Sequence, residues 1–272
     1  MSSLSPTIPI ERRQIPVSAP PVSAAPRAHA PTQVRPAAAG AQGERLFFTG
    51  IAIAMAVVCF AGFAPSYYLK TQFGTPQLKP LLHIHGLAFT MWMVLMITQA
   101  SLISAGKVRL HRQLGIAGAV LLPLMVISGA AVIYGRGTTI APGVPHEMVL
   151  AFLAIPLVAL AAFPAFIGAA LFLRKNPAAH KRLMVLATTV FLAAAVHRLL
   201  MLLVDPAVTP PVFFAATDLF IVALGAYDLI SRGRLHAATI WGGLAVVASQ
   251  FGSLLIAGSA TWMTFAHWIT GT

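Results

Sequence analysis

Charge is scarce in this chain: nine per cent of its 272 residues are Asp, Glu, Lys or Arg, and only six are acidic. A water-soluble domain uses about a quarter charged residues to coat its surface, so a soluble globular fold is excluded. Length-based domain counting, which applies to soluble chains, has no footing here. Cysteine is scarcer still. Cys59 is the single one and lies inside an apolar run, which excludes an intramolecular disulfide, a cysteine-ligated iron–sulfur cluster, a C-x-x-C-H haem attachment and a cysteine-rich zinc site. Cys59 reads as a small buried apolar residue. Any metal or cofactor must therefore be held mainly by histidine, methionine or carboxylate. No nucleotide-binding signature is present either, so an electron donor would be a quinone, another protein or a small reductant.

What fills the chain is apolar sequence, 58% of it hydrophobic. The formal net charge of +12 does not indicate nucleic acid, because Arg and Lys stand in short loops beside apolar runs, where they orient helices and meet anionic headgroups of the lipid bilayer. Residues 1–44, rich in Pro, Ala, Ser and Gln without apolar period, predict a disordered N-terminal tail. Arg12-Arg13 is not followed by an apolar region and is not a twin-arginine signal; the first apolar run reads as a signal anchor. Residues 45–272 predict an all-α, polytopic transmembrane helix bundle of about seven spans, each close to the twenty residues that cross about 30 Å of hydrocarbon. The spans fall near Leu46–Tyr68, Leu81–Ser104, Leu114–Tyr134, Met148–Leu173, Leu183–Val204, Val212–Ile230 and Ala237–Trp268. The last is longer than one crossing and is expected to tilt, to bend near Gly252-Ser253, or to end at the interface. Pro123, Pro156 and Pro164 fall inside spans, where neighbouring helices satisfy the freed carbonyls, and they predict kinks rather than boundaries.

Loop charges set the orientation. Arg35 and Arg45, then Lys107, Arg109 and Arg112, then Arg174, Lys175, Lys181 and Arg182, then Arg232 and Arg234 share one side. Lys70, Lys79, Arg136, Glu147 and Asp205 share the other. A cytoplasmic N-terminus and an external C-terminus follow. The segment from Leu102 to Leu114 also aligns without gaps on Leu171 to Leu183, each carrying His-basic-x-Leu into the next helix. Spans two–three and four–five then read as duplicated hairpins around an axis along the membrane normal, with residues 81–204 as the core bundle.

Histidine is the informative residue. His83, His85, His146, His197 and His267 lie towards the external side, and His111, His180 and His236 towards the cytoplasm. A b-type haem held between helices takes axial imidazoles from different helices, and hydrocarbon surroundings keep imidazole neutral and able to ligate. His85, His146 and His197 externally, with His111 and His180 at the other side, are the candidate haem ligands. His83, His85, His146 and His197 are the alternative set for copper or zinc. The bland alternatives are interfacial anchoring for His111, His180 and His236, an aromatic belt for His267 with Trp262 and Trp268, and no cofactor at all. His85, Trp92 and Gln99 recur every seven residues and form one stripe, from which His83 points about 200° away; His85 is expected to face the bundle. His180 and Arg198 share a face, with His197 about 100° round.

Arg198 and Asp218 are the clearest intramembrane charges. An isolated charge there is costly and usually finds a partner, so the two are expected to pair, either as a structural tie, a proton or ion relay, or a clamp for an anionic group.

Leu82-His83-Ile84-His85-Gly86, followed by Leu110-His111-Arg112-Gln113-Leu114-Gly115, resembles a family of bacterial polytopic membrane proteins with H-x-H-G and L-H-R-x-L-G motifs. His180-Lys181-Arg182-Leu183-Met184 resembles a segment of small bacterial membrane proteins associated with respiratory oxidases. These resemblances cover about residues 80–200 and imply a multi-pass protein of the bacterial cytoplasmic (inner) membrane, with respiratory-chain proteins or quinone as partners; they bring no activity to carry over. A looser likeness to cytochrome-b-type membrane proteins rests on the two histidine layers and is an analogy. Three functions remain open: a haem- or metal-binding redox or respiratory-assembly factor, a proton-coupled or small-solute transporter, and a non-catalytic scaffold or sensor.

Overall fold

The computed structural model describes residues 36–139 and 143–272, the side chains of 36–39 and 41 excepted. Among them there is no strand, and the order is α1 (Pro36–Phe63), a π-helical turn (Ala64–Tyr68), α2 (Pro80–Ser104), α3 (Val108–Gly137), α4 (His146–Phe172), α5 (Pro177–Leu203), α6 (Pro210–Arg232), α7 (Ala237–Ala257) and α8 (Ala260–Thr270). The first seven are long and apolar enough to cross a membrane. The shortest of them, 21 residues, reaches about 31 Å at 1.5 Å per residue. The protein is an all-α, multi-pass membrane protein. Helix α1 begins at Pro36, upstream of the boundary expected at 44; the rest of the expected tail lies outside the described residues.

Local sequence sets these limits. Asn176 caps α5, its Oδ1 accepting from the Ala179 N–H at 3.2 Å, with Pro177 at the first helical position, where a missing N–H costs nothing. Gly233, at φ 68°, closes α6 in the left-handed conformation that glycine adopts freely. Pro123, Pro156 and Pro164 sit inside continuous helices, as expected. The long seventh element is interrupted, but at Gly258-Ser259 rather than near Gly252-Ser253. Ser259 Oγ accepts from the Trp262 N–H at 3.2 Å and starts α8. The Trp262 indole donates to the Leu150 carbonyl at 3.0 Å and pins the short helix to α4.

Helix α5 is the most enclosed span and packs against α1, α4, α6 and α7. The core runs beyond residues 81–204: Ile51, Met55 and Cys59 from α1, Phe213 and Leu224 from α6 and Val246 from α7 join it. Consecutive spans are antiparallel, so α1, α3, α5 and α7 begin at one end, called here the near end, and α2, α4 and α6 begin at the far end. Arg45 donating to the Ser104 carbonyl at 3.2 Å ties α1 to α2 at the near end.

Where α1 crosses α5, a Cβ on Gly62 would collide with the Ala195 carbonyl. Backbones meet there without side chains between them, the device of small residues at membrane helix interfaces. Gly62→Ala is expected to cost about 1–3 kcal/mol by overpacking, read as a lower thermal midpoint in detergent. Gly50→Ala, where nothing lies within reach of a new Cβ, is the matched control.

Candidate functional site

The stripe expected on α2 faces the interior. The His85 ring lies tilted against Phe89 at 4.4 Å between centroids, Phe89 meets Phe191 of α5 edge-on at 5.2 Å, and Phe191 meets Phe163 of α4 at 5.1 Å. Phe163 in turn meets Trp92 at 5.0 Å, and the Trp92 indole donates to Thr188 Oγ1 at 3.3 Å. Edge-to-face contacts of this kind add to burial energy, and the result is an aromatic plug through the middle of the bundle. His83, on the opposite face, is exposed beside Tyr67, whose hydroxyl donates to the His83 carbonyl at 3.3 Å. His85, not His83, points inward.

The plug separates two polar clusters. At the near end stand His111, at the start of α3, and His180, at the start of α5. They are the two histidines that the sequence alignment of the hairpins makes equivalent. His180 Nδ1 is bonded to the Ala170 carbonyl at 2.8 Å; a carbonyl only accepts, so Nδ1 carries the proton and Nε2 presents its lone pair. His111 Nδ1 and Gln99 Oε1 are buried with no hydrogen-bond partner among the described residues. At the far end stand His85 and Arg198, the guanidinium over the Phe63 ring at 4.6 Å and donating to the Ala194 carbonyl at 3.0 Å.

Other expected sites do not assemble. His146 turns away from His85 and His197: its Nε2 lies 3.1 Å from Thr272 Oγ1, and its ring faces His267 at 6.5 Å. His267 Nε2 is 3.1 Å from Glu147 Oε1 and its Nδ1 is 2.8 Å from the Thr272 carbonyl, so this corner holds α8 to the start of α4. His197 sits between Phe152 at 5.7 Å and Phe213 at 4.6 Å. Shared depth brought these residues together on paper, but each points around its helix in a different direction. Among the described residues no three His, Cys, Asp or Glu side chains converge to hold a metal ion, so the copper or zinc site expected from His83, His85, His146 and His197 gains no support from the structure.

The Arg198–Asp218 pair is also corrected. Asp218 accepts from Gln250 Nε2 of α7 at 2.8 Å, while Arg198 faces α1 and α2. The ion pair joining α5 to α6 is instead Arg182–Asp228, with Arg182 Nε 3.0 Å from Asp228 Oδ1 and a second contact through Nη2. Arg182 and Arg198 are sixteen residues apart, about 160° around α5, so the helix cannot present both to α6. Asp228 is fully buried and Arg182 is 1% exposed. Asp228 also accepts from Thr239 Oγ1 at 2.6 Å and from the His236 backbone N–H at 3.0 Å. The cluster ties α5, α6 and α7 together. A signal for it was present: Asp228 is the acidic residue in the near-end half of α6, level with the basic start of α5.

His236 completes this corner from the loop before α7. Its Nδ1 accepts from the Ala238 N–H at 3.0 Å and caps α7, which requires neutral imidazole. Burial, then the positive charges of Arg182 and Arg232, hold its pKa below the usual imidazole value, with Asp228 opposing. Above about pH 6.5 both folded and unfolded forms are neutral and the cap contributes fully. As pH falls below that, the unfolded chain takes the proton first and stability is lost until the folded pKa is passed. The thermal midpoint is expected to fall between pH 7.5 and 5, and to fall less in His236→Asn, whose amide also caps. Equal slopes in the two proteins would remove His236 from this role.

Comparison with known protein families, curated proteins and solved structures returned no match.

Proposed function

We propose that this is a redox protein of the bacterial cytoplasmic membrane that holds a b-type haem between His111 and His180, at the end of the bundle where α1 begins. The support for this reading is that His111 and His180 stand at the starts of α3 and α5, at the same end of the bundle, and that His180 has its Nδ1 already bonded to a backbone carbonyl. Bis-imidazole ligation from separate helices is how helical membrane proteins hold haem b. An Nδ1–H···O=C bond is the outer-shell support that fixes a ligating histidine. Gln99 Oε1 and His111 Nδ1 are both buried and unpartnered among the described residues; an acceptor and a donor are complementary, and pairing them would give His111 the same support and free its Nε2. When bound, the haem supplies one-electron transfer.

The protein's own residues do the rest. The Ala170 carbonyl orients the His180 ring, and Trp92, Phe163 and Phe191 pack on the inner side. The basic loops at this end supply the charge excess that favours a cytoplasmic orientation. Partners in electron transfer are a quinone or a respiratory-chain protein. The transport reading loses the Arg198–Asp218 pair on which it stood.

The test is a visible spectrum of protein purified in mild detergent from cells supplied with haem, oxidised and then dithionite-reduced. A Soret band, a sharp reduced α-band and one haem per chain are expected. A colourless protein under those conditions sinks the reading.

A further inference from the structure

Arg198 has no carboxylate partner among the described residues. Its guanidinium has five N–H donors; one goes to the Ala194 carbonyl, and the plane lies over the Phe63 ring of α1. A cation inside a span is costly and calls for a compensating group.

The geometry brings a second group to it. Because Arg198 bonds back to the carbonyl one turn earlier, its guanidinium sits level with Ala194 rather than with its own Cα. Phe191, the next turn inward on α5, touches Phe89 of α2, and His85 stands one turn outward from Phe89 along the antiparallel helix. The guanidinium and the His85 ring therefore share a level across the seam between α2 and α5. His85 Nδ1 is buried there without a hydrogen-bond partner among the described residues.

We propose that Arg198 and His85 together bind an oxyanion at the far end of the bundle, the phosphate group of an anionic phospholipid or free inorganic phosphate. Arg198 supplies the charge and a fork of donors suited to a tetrahedral oxyanion. His85 adds a third donor through Nδ1–H, the buried nitrogen that has no partner among the described residues. The Phe63 ring holds the guanidinium by its face and leaves its edge open to the ligand. This site lies at the opposite end of the bundle from His111 and His180 and does not depend on haem.

The probes are phosphatidylglycerol, phosphatidylcholine and inorganic phosphate, titrated into the detergent-purified chain and followed by thermal shift and native mass spectrometry. Phosphatidylglycerol is expected to raise the midpoint and remain bound, and phosphatidylcholine to do neither. Arg198→Gln is expected to weaken phosphatidylglycerol binding by about tenfold or more, the loss of a charge-assisted hydrogen bond, and His85→Ala severalfold. Arg174→Gln, in an exposed loop at the near end, is expected to change nothing. Inorganic phosphate giving the same saturable, Arg198-dependent shift would support the site and name the free anion as its ligand. Arg198→Lys keeps the charge without the fork and is expected to bind between the wild type and Arg198→Gln, so the series is informative even where the glutamine variant folds poorly. Wild-type affinity in Arg198→Gln, or no shift with either anion, overturns the proposal.

Discussion

Asp228→Ala is expected to destabilise the bundle by about 3–5 kcal/mol, the cost of removing one partner from a buried ion pair. The carboxylate is wholly enclosed and accepts from Arg182, Thr239 and the His236 backbone. Removing it leaves the Arg182 guanidinium buried with only the Ala178 carbonyl, at 2.7 Å, as a fixed acceptor, and strips the start of α7 of two anchors. Asp228→Asn keeps the shape and one acceptor oxygen but not the charge, and is expected to lose less. The pair's own contribution is a different quantity. Two charges taken out of water recover their desolvation cost only in part, so the double replacement Arg182→Met with Asp228→Leu is expected to be more stable than Asp228→Ala. Thermal unfolding of the wild type, this double variant and its two singles, Arg182→Met and Asp228→Leu, in one detergent gives the coupling. If Asp228→Ala stays within about 0.5 kcal/mol of the wild type, the range of an ordinary surface change, the cluster does not hold α5, α6 and α7 together. Glu44→Ala supplies the scale: its pair with Lys181 is half exposed and is expected to contribute under about 1 kcal/mol.

The seven crossings were legible in the sequence because lipid imposes one length on every span and forbids unpaired backbone within it. The choice of His85 over His83 was legible for a similar reason: a seven-residue recurrence marks a face without knowledge of any other helix. His146 was grouped with His85 and His197 by depth in the membrane, which says nothing about direction around α4; its ring lies by Thr272 and His267, beside the α8 that Trp262 pins to α4. The same tryptophan explains why the seventh element breaks at Gly258-Ser259. Two Gly-Ser pairs offered equal local signals, and a contact with Leu150, more than a hundred residues away, selected one. Arg182 stood in a cluster of basic residues and read as a headgroup anchor, while its partner, forty-six residues on, has no local spacing to announce it.

If His111 and His180 carry haem, replacing the candidate histidines one at a time is expected to sort them sharply. His180→Ala removes the ring whose tautomer is fixed by the Ala170 carbonyl and is expected to abolish the reduced α-band. His111→Ala is expected to do the same or to leave a high-spin spectrum with one imidazole remaining. His146→Ala, at the corner with Thr272 and His267, and His197→Ala, wedged between Phe152 and Phe213, are expected to keep full haem content. Gln99→Leu separates a supporting role from ligation. It leaves both imidazoles but removes the amide oxygen that would hold His111, so haem is retained while the reduction potential and the affinity shift, the expected effect of an outer-shell partner being about ten- to a hundredfold in binding. Redox titration and haem quantification on these five variants read out both effects. Haem bound equally well by the His111 and His180 variants, or lost only with His197, would move the ligation to the far end and place it in competition with the oxyanion at Arg198.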